Sequence, residues 1–232
     1  MFPIAQSELL QLFRNRAVLI TSLVMPVAVS VFFISYRDTF SGIGSLGYVA
    51  AVLVFTIAAF GLYATTVTTL AARRQNLFLK RLRSTAAGDA TILSGLVLPV
   101  SVIATVQVGV ILIVFASVGG APADALLLVA MMLALAIATA GVTNSPEHAQ
   151  VTTLPLSLGV IAVASWVGIT GTESLALLKR MLPGGSATEL IVNAWNGGVP
   201  LAESMLLLAP TLVWVLVAIL LATQMFRWEP RR

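Results

Sequence analysis

Few residues in this chain are equipped for chemistry. Its single histidine, His148, follows Glu147, and an imidazole beside a carboxylate can move protons when both face a substrate. Here both fall in Asn144-Ser145-Pro146-Glu147-His148, a turn between apolar runs, where a solvated or helix-capping role is expected. Thr65, Thr66, Thr68 and Thr69 end another apolar run. Such hydroxyls can bond back to helix carbonyls or line a polar path, and the first role is the expectation. With no cysteine there is neither a disulfide framework nor a thiolate metal site, and no metal-binding residues are expected. No G-x-x-x-x-G-K-[ST] phosphate loop occurs, so the chain is not by itself a P-loop ATPase. The densest chemistry is electrostatic. Arg73, Arg74, Lys80, Arg81 and Arg83 alternate with Leu77, Phe78, Leu79 and Leu82, a basic amphipathic helix suited to an anionic lipid surface or a partner protein.

The elements carrying these residues are set by composition. Hydrophobic residues make up 59% of the 232 and charged residues 9%, against roughly 45–50% and about 25% in a soluble domain. The excess apolar surface must face lipid. One domain, residues 1–232, is expected, because a span needs only about 20 apolar residues and connections can be short. The net charge of +4 sits at the flanks of apolar runs, which points to membrane orientation and away from nucleic acid. No removable signal peptide is expected, since the polar first segment runs into a span without a small-residue cleavage site.

Six spans are expected in an all-α integral membrane protein. Phe2 to Arg16 is apolar on one side only and reads as an interfacial helix. Ala17–Ser35 is the first span, kinked at Pro26, and a short polar stretch, Tyr36–Ser45, leads to the second, Leu46–Leu70. After the basic helix come spans at about Ile92–Phe115, around Pro99, and Ala125–Val142, where Ala130, Ala134 and Ala138 form a small-residue stripe. Val151–Ile169 and Met205–Phe226 complete the set. Between the last two, Leu175, Leu178, Met181 and Leu182 share one helical face, and Pro183-Gly184-Gly185 stops that helix. Ser186 and Glu189 form a capping-box pattern for a second short helix that ends at Asn196-Gly197-Gly198. This pair is expected in the interface or as a shallow re-entrant hairpin.

Charge orients the bundle. Arg14, Arg16, Arg73, Arg74, Lys80, Arg81, Arg83, Arg227, Arg231 and Arg232 fall on one side, and only Arg37, Lys179 and Arg180 on the other. The positive-inside rule puts the first group and both termini in the cytoplasm. No span contains Asp, Glu, Lys, Arg or His, which argues against an ion-coupled transporter or an intramembrane enzyme. Thr65, Thr66, Ser157, Ser165 and Trp166 are candidates to line a substrate path, with helix packing the simpler role for each.

The run from Arg73 through Lys80-Arg81-Leu82-Arg83 to Ser84-Thr85 resembles the cytoplasmic signature of ABC-2-type permeases, where a coupling helix ends in Leu-Lys-Arg-Leu-Arg. Glu8-Leu9 to Arg16 is similar to that family's entrance helix, Ser145 to Gln150 to the opening of its fifth span, and Leu182 to Leu190 to its external helix region. Arg227-Trp228-Glu229-Pro230-Arg231 resembles the tails of actinobacterial members. Gln75, Asn76 and Ala86 differ from the acidic residue, glycine and proline that many members carry. The resemblance implies a permease in the bacterial cytoplasmic membrane, paired with a second copy or a sister permease above two ABC ATP-binding subunits. Those partners would bind ATP and Mg, with no cofactor on this chain. Arg73, Arg74, Leu77, Phe78, Lys80, Arg81, Leu82 and Arg83 would be the coupling helix, with Leu77, Phe78 and Leu82 as its packed contact. The implied cargo is a hydrophobic, drug-like small molecule exported outward. A lipid or polysaccharide precursor is the alternative cargo, and a noncatalytic membrane scaffold is the alternative of a different class.

Overall fold

The structure, a computed structural model, describes residues 2–84, 88–125, 128 and 149–225. Helices and short turns make up the described residues, with no strand among them. In chain order the helices are α1 (Phe2–Arg14), α2 (residues 16–35), α3 (Arg37–Ile43), α4 (residues 46–75), α5 (Phe78–Arg83) and α6 (Asp89–Gly119). After them come α7 (Ala149–Thr170), α8 (Ala176–Met181), α9 (Gly185–Asn196), α10 (Leu201–Leu206) and α11 (Leu208–Met225). Two segments, Leu46–Leu70 of 25 residues and Ser94–Gly119 of 26, are long and apolar enough to cross a membrane. A third candidate is Ser22–Ser35 with Arg37–Ile43, a pair bent by 74°. The fourth expected span lies outside the described residues apart from Ala125 and Leu128, as do Ala130, Ala134, Ala138, Ser145–His148 and the closing tail.

The central element is α4. Val49 to Leu53 and Ile57 are sealed from solvent, with α2, α6, α7 and α9 packed around them. Phe115 of α6 and Trp195 of α9 meet in this core with ring centroids 4.8 Å apart. Gly47 allows the close approach of α9, because a Cβ there would stand 2.8 Å from the Val192 Cα. The outer faces are apolar too. On α6, Val102, Val106 and Val110 are exposed at four-residue intervals, and on α11 Leu212, Val213, Leu216 and Leu220 are exposed. Water would penalise such stripes and hydrocarbon would not, so the surface is compatible with a membrane location.

Three local features add to the sequence expectation and one departs from it. Pro26 has no N–H and its ring crowds the preceding turn. The helix accommodates it through a π-helical turn, Ile20–Val24, in which the Met25 N–H reaches back to the Ile20 carbonyl. The polar stretch before span two contains a helix, α3. On α8, Leu175, Leu178 and Met181 of the apolar face are exposed, and Lys179 turns inward at 1% exposure. Finally, Ser186 and Glu189 do not cap α9. Gly184, at φ 86°, holds the N-cap position without a side-chain bond. Ser186 instead pairs with Thr211 at 2.9 Å, and Glu189 takes Arg180 and Thr172. Charged and longer-range partners outcompete the local box.

Candidate functional site at the basic end of the bundle

Where α4 loses its apolar character, at Thr65–Gln75, the helix reaches the end of the bundle occupied by α1, α5 and the start of α6. Two of the threonines there, Thr65 and Thr68, bond back to their own helix. Thr68 Oγ1 donates to the Ala64 carbonyl at 2.9 Å or the Thr65 carbonyl at 3.0 Å, and Thr65 Oγ1 donates to the Phe60 carbonyl at 3.2 Å. The latter spans five residues because α4 is π-helical over Ile57–Ala64. Thr66 is buried with its hydroxyl unpartnered.

The chain then turns sharply through Leu77, whose φ of 54° is left-handed, a conformation that costs an L-residue roughly 1–2 kcal/mol. The turn folds α5 back against its neighbours. Leu79 is fully buried with Leu70, Ile92 and Leu96, and Phe78 and Leu82 pack on this cluster. Leu77 is 43% exposed, and Lys80, Arg81 and Arg83 are exposed with it. Of the residues expected to form a coupling helix, Leu77, Phe78, Lys80, Arg81, Leu82 and Arg83 are therefore brought together on one short element and its N-cap, but they divide. Phe78, Leu79 and Leu82 hold α5 to its own bundle, while Leu77 and the cations face outward. Arg74 lies in the last turns of α4. The role of Leu79 was missed from sequence, although its spacing to Leu82 gave a readable inward stripe.

Arg73 does not belong to the outward set. Its Nη2 lies 3.0 Å from each carboxylate oxygen of Glu8 on α1, aligned as a hydrogen bond only to Oε2. It also donates to Gln11 Oε1, and its guanidinium carbon stands 5.1 Å above the Phe78 ring. Glu8 is 1% exposed. This pair stitches the N-terminal helix to the end of α4. No local pattern links residues so far apart in sequence.

The candidate path residues are not gathered in one place. Ser157 is buried on α7, which packs along α4. Ser165 and Trp166 sit eight and nine residues further on, about 12–14 Å along the helix axis. Trp166 faces the opposite end of the bundle, where Lys179 Nζ lies 5.3 Å from its ring centroid. That Nζ donates to Thr170 Oγ1 at 2.9 Å and to the Gly171 carbonyl at 2.6 Å. Beside it Arg180 makes two bonds to Glu189, from Nε at 2.7 Å and Nη2 at 2.6 Å. Hydrogen bonding to Glu189 is the main reason the Arg180 guanidinium is held above its usual pKa; burial opposes it and the carboxylate's charge adds to it. Sequence reasoning also passed over Gln107, a buried amide on α6 whose Nε2 donates to the Leu23 carbonyl at 3.4 Å within the π-helical turn of α2.

Among the described residues neither end brings a nucleophile together with a base, and no three His, Cys, Asp or Glu side chains come together as metal ligands. What the basic end offers is a cation-bearing surface on a short helix packed against two long ones. No family model, curated protein or solved structure matches the chain.

Proposed function

We propose that this chain is the membrane-spanning subunit of an ABC-2-type exporter, with six spans and both termini in the cytoplasm. In this reading, ATP hydrolysis on separate subunits drives a hydrophobic small molecule outward. The observation that carries the reading is the arrangement of α5. It presents Leu77, Lys80, Arg81 and Arg83 outward while Leu79 is packed against α4 and α6. A push on its outer face reaches both long helices as a rigid-body displacement, because close-packed cores shift between discrete arrangements rather than yield. The signature-like order of residues 73–85 and the absence of a phosphate loop add support. The second permease copy or sister subunit belongs to the same proposal.

The test is ATPase activity in proteoliposomes containing this chain and a candidate ATP-binding subunit, assayed across a panel of hydrophobic compounds. Stimulation should require both chains and vary with compound. The triple variant L77D/R81E/R83E should insert normally and abolish the stimulation. Full stimulation by that variant would overturn the coupling role of α5. Stable insertion of the wild type with no association or stimulation would leave the scaffold reading in its place.

A further inference from the structure

A cleft of about 620 Å³ opens at the basic end between the α1–α2 turn and the last turns of α4. That volume lies within the range of small-molecule sites. Arg14, Arg16, Arg73, Thr69 and Asn76 line it, with Glu8 as its single carboxylate. Glu8 is already engaged by Arg73. Arg14 and Arg16 are exposed at the cleft and have no hydrogen-bond or ion-pair partner among the described residues. Arg73 Nε, on the same wall, is buried and lacks an acceptor. The cleft therefore carries excess positive charge and an unmet donor, the requirements of an anion site.

The surroundings narrow the anion. Leu10 and Phe13 on α1 and Ile20 on α2 are exposed, and Phe13 directly precedes Arg14. A free anion would use the charges alone. An amphiphile would use the charges and the apolar side chains together. We infer that this cleft binds the phosphate headgroup of an anionic phospholipid, held by Arg14, Arg16 and Arg73, with the exposed apolar side chains of the same two helices, Leu10, Phe13 and Ile20, keeping this end of the bundle at the lipid surface. The site differs from the exposed cations of α5 in having walls, and it requires only a membrane location, not the transport reading.

The test uses the full chain purified in a neutral detergent, with native mass spectrometry of bound lipid. Phosphatidylglycerol and phosphatidylcholine of identical acyl chains are titrated separately, and inorganic phosphate is added as a competitor. Phosphatidylglycerol should bind at least ten-fold tighter than phosphatidylcholine. The variant R14Q/R16Q, altered only at exposed positions, should lose roughly thirty-fold in phosphatidylglycerol affinity, from about five-fold per basic residue at a membrane surface. R81Q/R83Q should keep the preference. Equal binding of the two lipids would overturn the inference, as would a preference that survives R14Q/R16Q or disappears in R81Q/R83Q. Displacement of phosphatidylglycerol by millimolar inorganic phosphate would overturn the lipid assignment in favour of a free-anion site.

Discussion

Replacing Glu8 by alanine isolates the tie between the N-terminal helix and the end of α4. Glu8 is 1% exposed, and the Arg73 side chain that it holds at 3.0 Å is 18% exposed. Removing one member of a buried ion pair costs about 3–5 kcal/mol, because the other charge is left uncompensated. Arg73 retains its bond to Gln11, its stacking on Phe78 and some water, so the lower end, about 3 kcal/mol, applies. For a chain of this size that is a fall in melting temperature of about 6–12 °C. The assay is thermal unfolding in neutral detergent for E8A, R73M and the double variant. The double variant should be destabilised by less than the sum of the singles, since it buries no orphan charge, and the coupling should exceed about 1 kcal/mol. It should also persist at high salt, because a pair this buried is weakly screened. A loss below 2 °C for E8A, or strict additivity in the cycle, would refute the claim that this contact fastens α1.

Three further outcomes follow from the same geometry. L79A should cost about 2–5 kcal/mol, the range for truncating a buried leucine, whereas L77G should stabilise by about 0.5 kcal/mol as left-handed strain is relieved against glycine's entropy; chemical unfolding of both variants checks this. G47A should destabilise by about 1–3 kcal/mol, because its Cβ meets backbone at Val192, while G159A, with open space around it, should be neutral or stabilising in the same melts. For Arg180, a pKa raised in the folded state means stabilisation that is complete below the unfolded value and lost only as pH rises through the folded one. That window is strongly alkaline. The stability difference between wild type and R180M should therefore stay flat from about pH 7 to 10; a decline across that interval would show that the guanidinium is not the group held.

Much of the architecture is legible in residue order because lipid and backbone impose one-dimensional rules. A long uncharged run must satisfy its own hydrogen bonds, which makes Leu46–Leu70 a helix long enough to span before any contact is known. The alternation of cations and leucines in residues 73–83 likewise announces a short amphipathic helix, and α5 lies there. The bonds of Thr65 and Thr68 at the end of α4 were legible for a similar reason, since a helix offers carbonyls to a nearby hydroxyl, though Thr66 does not follow.

Which side of an element faces inward is a different matter. A soluble helix buries its apolar face, whereas a helix whose surroundings are also apolar need not. On α8, Leu175, Leu178 and Met181 point outward and Lys179 inward, held by the end of α7 and its following turn through Thr170 and Gly171. The sequence by itself determined the helical class, the place of the long apolar helix Leu46–Leu70 and the site of the basic helix, because these depend on local periodicity and charge. Only the tertiary structure decided that Leu79 anchors α5, that Glu8 claims Arg73 and leaves Arg14 and Arg16 facing a cleft, and that Glu189 joins Arg180 rather than capping its own helix. Each of those choices is a competition between partners distant in sequence, settled by which charges and side chains the packed helices bring within bonding distance.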